Sequence, residues 1–484
     1  MSSAISDTPV ADPRRWWILA VMLTAEIMDL LDSTIVNVAG PSLQKDLGAI
    51  PSQLQWIIGG YALALGASLV VGGRLGDRYG RRPMFLFGII TFTATSLLCA
   101  VAPTNGWLIF FRLLEGVAAA MLLPQGFGLI RQAFPPEEFG KAFAVFGPVF
   151  GLGGILGPIV GGFIIQSNLF NFGWRDVFLV NIPIGLVAIL LAWRMLPTQA
   201  GDRAITIDII SAVLAAAAAA LLVLPLIQGQ QAGWPLWTWL SFLGAAVGFV
   251  AFYLRNRLVA KGSRSPLVDP SIFDYRSYTI GIGGLFLFFA GFTGVYLVIT
   301  LFLQIGQGYS ASGAALGNIP IAVGTAIGGM VSGAVLAEKF GRKVLQFGAL
   351  FQIVGAILLL IGLRDITHFH LLQLVAGMVI SGFGTGLVVA ALFDTIISAI
   401  SGRAVGSASG LLSAVQSVSS SVGVAVFGTA FFAGVTDHHS PLIGFRHALE
   451  IQIGFVACFL AVTFFLPKGK KQDAWGDEQA AVTH

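Results

Sequence analysis

Charged residues are scarce in this 484-residue chain, at 10% of the total, whereas soluble proteins carry about 25%. Cysteine is rarer still, since only Cys99 and Cys458 occur, both in apolar runs and in opposite halves of the chain. This composition excludes a soluble enzyme, a secreted disulfide scaffold and a disordered regulator. We interpret the two cysteines as small apolar packing residues. The formal net charge of +4 is too small to predict a nucleic-acid partner.

Sequence motifs for catalysis and for nucleotide-driven work are also missing. The chain has neither a glycine-rich phosphate loop with its Lys-Ser/Thr pair nor a serine nucleophile motif. Its six histidines fall in loops or near predicted helix ends, which does not favour a metal site. We therefore predict no enzyme activity, no cofactor, no metal and no direct use of ATP.

Apolar residues are abundant instead: 56% of the chain is hydrophobic, 61 residues are glycine and the mean hydropathy is +0.86. A membrane-spanning helix needs about 20 largely apolar residues, and fourteen such windows occur. They lie at roughly 16–40, 53–73, 83–101, 107–127, 142–165, 177–196, 207–227, 236–254, 278–304, 313–336, 344–363, 370–392, 405–433 and 446–466. These windows predict an all-α, multi-pass membrane protein.

Lysine and arginine are distributed unevenly between the two sides of this predicted bundle. An even number of spans places both termini on one side, and 22 of the 27 basic residues fall in the loops and termini of that side. Only four lie in the opposite loops, and Arg112 lies inside a span. Because basic residues favour the cytoplasmic side of a membrane, both termini are predicted to be cytoplasmic.

A short pattern occurs after both the second and the tenth spans. The segments from Leu75 to Arg82 and from Leu336 to Lys343 share the order Leu-x-acid-base-aromatic-Gly-base-base, 261 residues apart. Such a repeat indicates duplication of a six-helix unit. The predicted parts are a cytoplasmic N-terminus at 1–15, a six-helix bundle at 16–197, two extra helices with a basic cytoplasmic loop at 198–277, a second six-helix bundle at 278–467, and a cytoplasmic tail at 468–484.

Several segments together resemble the major facilitator superfamily, and within it the fourteen-helix drug:proton antiporter branch. They are the loop motif Gly73-x-Leu75-x-Asp77-Arg78-x-Gly80-Arg81-Arg82, the segment from Leu31 to Pro41, Arg112 with Gly116, the series from Gly147 to Gly162, and the segments from Trp174 to Gly185 and from Ala408 to Gln416. Gly40 and Glu115 stand where Leu and Gln are more usual. The resemblance implies a major facilitator fold of two six-helix bundles plus two inserted helices. It also implies secondary transport, in which many members export lipophilic cationic or amphiphilic drugs against entering protons.

The first span carries three carboxyls, Glu26, Asp29 and Asp32, at successive steps of three residues, which places them in one sector of a helix. On the fourth span, Arg112 and Glu115 also stand three residues apart. A buried guanidinium requires an acidic or carbonyl partner. We predict that these five residues form a proton-coupling site in which Arg112 holds a first-span carboxylate. The alternative is a permanent ion pair that only fixes the two helices together.

Two further groups of residues are predicted to serve conformational change. By resemblance, Gly73, Asp77, Arg78, Gly80 and Arg81 form a latch after the second span, although basic anchoring at the cytoplasmic side would also explain the arginines.

Glycine and proline recur along the fifth span. By resemblance, this span forms an antiporter helix that meets the tenth span at the interface of the two bundles. The residues concerned are Gly147, Pro148, Gly157, Pro158 and Gly161, with Gly324, Gly328, Gly329 and Gly333 on the tenth span. Such glycines admit a close backbone neighbour, either for sliding or for static packing.

The deep charges all belong to the first half, so the second half is predicted to supply a mostly apolar and aromatic wall. Weaker candidates for lining a substrate path are Asn37, Phe292, Tyr296, Asn318 and Gln416. The function predicted is proton-coupled export of lipophilic drugs by a monomer in the inner membrane of a bacterium, with protons, small lipophilic molecules and membrane lipids as partners. The alternatives are a proton-coupled transporter of a metabolite or lipid, and a membrane receptor that does not transport.

Overall fold

A computed structural model describes residues 13–134, 157, 159–167, 172–198, 200–262, 265–332, 340–363, 370–397, 400, 405–437 and 439–466. The helices in these ranges are α1 (Arg15–Leu47), α2 (Pro51–Tyr79), α3 (Arg81–Ala100), α4 (Asn105–Ala133), α5 (Asp176–Leu179), α6 (Asn181–Met195), α7 (Ile209–Gln228), α8 (Leu236–Ala260), α9 (Arg276–Leu301), α10 (Ala311–Gly317), α11 (Ile319–Val331), α12 (Arg342–Gly362), α13 (Leu372–Ile397), α14 (Val405–Asp437) and α15 (Pro441–Thr463). Two 3-10 turns, Gly173–Arg175 and Pro270–Asp274, and a π-helical turn, Phe302–Gly306, complete the set.

Within the described ranges, twelve helical stretches are long and apolar enough to cross a membrane. Each coincides with one of the predicted spans, namely the second to fourth and the sixth to fourteenth, so the all-helical membrane architecture is confirmed. The predicted first span corresponds to α1, whose 33 residues include four carboxyls, three of them within the predicted span, and these lower its hydropathy. The predicted fifth span falls mostly outside the described residues, which include only 157 and 159–165 of it.

Close backbone contacts at glycines pack the first half. A Cβ on Gly116 of α4 would collide with the Tyr61 backbone of α2, and one on Gly185 of α6 would collide with Thr93 of α3. Only glycine allows these approaches, since any side chain would hold the helices apart. As a result, α2 lies close against α4, and α6 lies close against α3.

The two halves meet chiefly where α2 lies along α14. Gly66 of α2 faces the backbone carbonyl of Ala414, and a Cβ on Gly59 would lie 3.2 Å from Ser421 Oγ. Further along, Gln55 donates a hydrogen bond to Thr429 Oγ1 at 3.3 Å. The interface is therefore a tight, small-residue seam at the centre of the bundle.

The pair α7 and α8 lies outside this seam, where α7 packs on both α2 and α14. Only 28% of the apolar window of α7 and 17% of that of α8 is buried. Their remaining apolar surface requires lipid around it.

Candidate functional site

Three carboxyls of α1 lie inside the protein. The exposed fraction of Asp32 is 0%, that of Asp29 is 7% and that of Glu26 is 9%. Steps of three residues keep them in one sector of the helix, so they form a line along its axis. Pro41, one turn past Asn37, removes the backbone hydrogen bond that the Asn37 carbonyl would accept in a regular helix.

Arg112 of α4 is fully buried at the centre of the site and holds two carboxylates with one nitrogen. Its Nη1 lies 2.5 Å from Asp32 Oδ2 and 2.8 Å from Glu115 Oε2. Its Nε donates to the carbonyl of Ile57 at 3.1 Å, and the guanidinium carbon lies 4.3 Å from the centroid of the Tyr61 ring. The structure thus brings together the predicted residues Asp32, Arg112 and Glu115. Whether they couple protons stays a prediction.

Neutral polar side chains surround this cluster. Asn181 Nδ2 donates to Asp32 Oδ1 at 2.9 Å and to Ser96 Oγ at 3.0 Å. The Tyr61 hydroxyl donates to Asp29 Oδ1. These donors satisfy carboxylate oxygens that burial has removed from water.

The interpretation of Cys99 as an apolar packing residue is incomplete. Its thiol lies 3.5 Å from Glu115 Oε2, within hydrogen-bonding range for sulfur. Sequence reasoning missed this contact, and it assigned no role to Asn181, Ser96 or Tyr61. Asn181 carried a signal, because it belongs to the segment from Trp174 to Gly185 that resembles the antiporter branch.

The charges of the site do not balance. Among the described residues, this cluster sets four buried carboxyls, Glu26, Asp29, Asp32 and Glu115, against one buried guanidinium, so full ionisation would leave the cluster with a net charge of −3. In the described part of the second half, α9 to α15 contain no buried charged residue. Isolated charges in a membrane interior are costly. Proton binding is the simplest way for this cluster to reduce its charge.

The predicted latch residues lie at the end of the bundle where α2 gives way to α3, here called the latch end. Gly80 joins the helices with a φ of 99°, a value that favours glycine. Asp77 pairs with Arg81 at 2.8 Å, and Arg78 Nη1 donates to the carbonyl of Ile205 at 2.9 Å. Gly73 packs on α4, where a Cβ on this glycine would lie 3.6 Å from Pro124 Cβ.

Segments that flank α7 and α8 hold the latch residues from outside. The backbone N–H of Asp202 donates to the carbonyl of Asp77 at 2.9 Å, and Arg74 Nη2 donates to the carbonyl of Pro266 at 2.9 Å. Three residues later, the N–H of Asp269 donates to Ser407 Oγ of α14 at 2.8 Å. The linker after α8 therefore contacts both halves.

The described glycines of the predicted antiporter helix pack mainly on α1. A Cβ on Gly157 would collide with Thr34, and one on Gly161 would collide with Ile35. Gly162 lies against the Ser312 backbone at the start of the tenth span, and Ser312 Oγ donates to Gln166. Gly147, Pro148 and Pro158 lie outside the described residues.

The tenth-span glycines have a different partner from the one expected. Gly324 and Gly328 of α11 lie against the α13 backbone at Val379 and Phe383, within the same half. These two positions therefore pack within their own half, while the fifth and tenth spans meet instead at Gly162 and Ser312. The reason is physical: a glycine groove specifies close packing but not its partner. Gly333 lies outside the described residues.

The weaker lining candidates do not form one group. Phe292 and Tyr296 are half-buried neighbours on α9, with ring centroids 6.3 Å apart, and Gln416 is half-buried on α14. Asn37 is 8% exposed. Asn318 is 1% exposed, and its amide donates to Thr300 Oγ1 and to the Ala314 carbonyl, both at 3.1 Å. Its amide is therefore engaged within the second half.

One charged contact lies beyond the predicted first span, near the end of α1 opposite the latch end. Asp46 accepts hydrogen bonds from Trp174 Nε1 at 2.7 Å and from Arg175 Nη1 at 2.9 Å. These bonds hold the pKa of the Asp46 carboxyl below its ordinary value, because both favour the ionised form. The contact ties α1 to the turn that precedes α5 and α6.

A bundle of apolar helices around a buried, unbalanced charge cluster is the architecture of a polytopic membrane transporter. Residues 22–424 match the sequence profile of the Major Facilitator Superfamily, and the chain belongs to that family. Solved structures show the same fold. A bacterial homologue of the human lysosomal transporter Spinster covers 94% of this chain and 97% of its own, with a TM-score of 0.66 and 18% identity. The match to a D-xylose–proton symporter covers 95% of this chain and 99% of the symporter chain, with a TM-score of 0.64 and 17% identity.

Curated relatives are more similar in sequence. A probable actinorhodin transporter of Streptomyces coelicolor is 43% identical, over 87% of this chain and 73% of its own length. A puromycin resistance protein of Streptomyces alboniger is 34% identical, over 94% and 91%. A tetracenomycin C resistance and export protein of Streptomyces glaucescens is 32% identical, over 93% and 84%.

Proposed function

We propose that this protein is a proton-coupled antiporter that exports lipophilic, cationic or amphiphilic compounds by alternating access. The observation that carries the proposal is the fully buried triad of Asp32, Arg112 and Glu115, in which two carboxylates share one cationic nitrogen. The relatives support the direction of transport, since their names describe resistance to, or export of, antibiotics. The D-xylose–proton symporter shares only the fold.

The geometry of the triad supports proton exchange at Asp32. While Asp32 is ionised, Arg112 Nη1 bonds it and Glu115 together. A proton on Asp32 removes one of the two negative charges, which leaves Arg112 held by Glu115 alone. Because α1 and α4 then attract each other less strongly, protonation changes the energy of moving one helix against the other. Asp29 and Glu26 continue the carboxyl line toward the latch end and offer a route for the proton.

The substrate path lies between the carboxyl line and the second half in this proposal. Phe292 and Tyr296 offer aromatic faces, which attract organic cations as well as apolar rings. An ionised carboxylate on α1 attracts a cationic substrate electrostatically. Proton and cationic substrate then compete for the same negative charge, which is the minimum requirement for antiport.

The proposed topology has fourteen membrane spans in the bacterial inner membrane, with both termini in the cytoplasm. It combines the twelve apolar helices with α1 and with a span at 142–165. The distribution of basic residues supports this orientation. The latch end is then cytoplasmic, and Asp77 and its neighbours hold one conformation closed there.

The proposal is tested in proteoliposomes with an imposed pH gradient and an internal pH dye. Puromycin, tetracenomycin C and ethidium are added in turn, as probes of lipophilic character. We expect at least one of them to release protons down the gradient at a saturable rate, and empty liposomes to give no such signal. Drug:proton exchange would be contradicted if none of the probes stimulated proton movement and none of them accumulated.

A further inference from the structure

Asn181 contacts the central carboxylate from a third side and does not belong to the charged triad. It begins α6, directly after the turn at Val180 that joins α5 to α6. Its exposed fraction is 0%, and its Nδ2 donates to both Asp32 Oδ1 and Ser96 Oγ. Its own carbonyl oxygen, Oδ1, is buried without a hydrogen-bond partner among the described residues.

The orphaned oxygen is unusual because buried polar atoms normally have partners. Both oxygens of Asp32 already accept a hydrogen bond, Oδ2 from Arg112 and Oδ1 from Asn181. A proton that binds Asp32 turns one of these acceptors into a donor. Arg112 has no acceptor atom to receive that donor, whereas a primary amide has one.

We infer that Asn181 is a positioning residue whose amide changes its hydrogen bond with the protonation state of Asp32. This inference rests on the proposed proton exchange at Asp32. In the ionised state Nδ2 donates to the carboxylate, as observed. In the protonated state a half-turn about the Cβ–Cγ bond presents Oδ1, which accepts the new O–H. The orphaned oxygen then has a partner, while Nδ2 gives up its bonds to Asp32 and to Ser96.

The consequence is a connection between protonation and helix packing. Ser96 belongs to α3, and its hydroxyl donates to the carbonyl of Phe178 in α5 at 3.2 Å. When the amide turns, the bond from Asn181 to Ser96 breaks. Uptake of a proton by Asp32 thereby weakens the contact between the start of α6 and α3, while the bond from Ser96 to Phe178 still joins α3 to α5. Asn181 thus links the charge state of Asp32 on α1 to the packing of α6 on α3.

Several titratable groups face Asp32 and must be considered in any pH experiment. Arg112 and Glu115 face it from α4, Cys99 from α3, Tyr61 from α2, and Asp29 from α1, with Glu26 beyond Asp29 on the same helix. Asn181 itself does not titrate. Its replacement therefore changes hydrogen bonding without adding or removing a charge.

The test uses the variants Asn181→Leu, which matches the amide in size, and Asn181→Ser, whose hydroxyl both donates and accepts. Gln452→Met is the matched control, because Gln452 is a buried amide of α15, in the second half, and its Oε1 has no hydrogen-bond partner among the described residues. The first readout is the infrared difference spectrum of the purified protein between alkaline and acidic pH. The second is the pH profile of substrate-driven proton release.

We expect acidification to lower the frequency of a side-chain amide C=O band in the unmodified protein and in Gln452→Met. The band should be absent in Asn181→Leu and also in Asp32→Asn. Transport by Asn181→Leu should fall about ten-fold with its pH midpoint displaced, and Asn181→Ser should recover most of the rate. An amide band that does not respond to pH in the unmodified protein would overturn the inference, as would Asn181→Leu with an unchanged profile. If no probe is transported, the proposed function fails, but the infrared experiment still decides whether the amide follows Asp32.

Discussion

Arg112 shows how a single residue can make a buried cluster sensitive to protons. One nitrogen bonds two carboxylates, and its Nη2 has no hydrogen-bond partner in the described part of the chain. Removal of a buried cation leaves uncompensated charges behind, which costs more than the ion pair contributes. Because Asp32 and Glu115 share Nη1, a proton on either carboxylate affects the bond between Arg112 and the other one.

Replacing Arg112 with Met should therefore lower the free energy of unfolding by about 3–5 kcal/mol. Adding Asp32→Asn and Glu115→Gln to Arg112→Met should recover part of this loss, because the orphaned charges are gone. Thermal unfolding in detergent measures both effects. Arg175→Gln is the control, since Arg175 pairs at a partly exposed site and should cost less than about 1 kcal/mol. Equal stability of the single and triple variants would contradict the account of the cluster.

The contact of Asp46 with Trp174 and Arg175, outside the predicted first span, should make a pH-dependent contribution to the stability of the protein. The pKa of Asp46 is lowered in the folded protein by Trp174 and Arg175. Its contribution to stability is therefore present above the ordinary pKa of about 3.9 and is lost as pH falls through the lowered value. Asp46→Asn should be slightly less stable at pH 7, by less than about 1 kcal/mol because the side chain is half exposed. The two proteins should unfold at the same temperature once the pH lies well below the lowered pKa of Asp46, and a difference that persists there would contradict this assignment.

The residues of the site differ in how far sequence could predict them. Glu26, Asp29, Asp32 and Arg112 stand out because charges are rare in apolar spans, and helical spacing places the three acids in one sector. Asn181, Ser96 and Cys99 do not stand out, because small neutral polar residues occur throughout such helices. Only the packing of α3 on α4, and of α6 on α1 and α3, reveals that they belong to the carboxylate cluster.

At the scale of the helix, glycine spacing predicted close packing but not the neighbour. Gly157 and Gly161 admit α1, whereas Gly324 and Gly328 admit α13 of the same half. The periodicity of small residues is a property of one helix, and the partner depends on the arrangement of all of them. The contact with α1 nevertheless places the fifth span beside the helix that carries the carboxyls.

Replacing Gly157 with Leu should stop transport while the protein still inserts. The new side chain would collide with Thr34, two residues from Asp32, and would displace the carboxyl sector of α1. Overpacking of this kind costs about 1–3 kcal/mol, enough to reduce the efflux rate by about ten-fold or more. Gly283→Leu is the control, since a Cβ there meets nothing within 4 Å. Normal efflux by the Gly157 variant at normal expression would show that this contact does not matter for movement.

For the whole molecule, the inserted pair is more than an addition at the edge. The linkers around α7 and α8 contact the latch at Asp77 and Arg74, and reach α14 at Ser407. The sequence predicted two extra helices from the length between the repeats, but it contained no sign of these contacts. They consist mostly of backbone carbonyls and N–H groups, which every residue carries and no pattern distinguishes.

The proposed topology can be tested by cysteine labelling in intact cells. A cysteine in place of Lys261 should react only with reagents that enter the cytoplasm, and one in place of Lys45 should react from outside. Residues 230–233, between α7 and α8, should also react from outside, because both helices cross the membrane. Labelling of these residues only from the cytoplasm would contradict the count of fourteen spans.

The central claim is that a carboxyl bound to Arg112 exchanges a proton for substrate, and gradient-driven accumulation tests it most directly. Vesicles with the cytoplasmic face outward and an acidic lumen should accumulate a transported probe, such as puromycin, until a proton ionophore is added. Asp32→Asn keeps size and polarity but cannot titrate, so accumulation should be abolished while binding of a neutral substrate survives. Asp437→Asn, at the exposed end of α14, should accumulate the probe normally. The claim would be contradicted if Asp32→Asn, Asp29→Asn and the double variant all still accumulated the probe. The coupling site would then lie elsewhere in the protein.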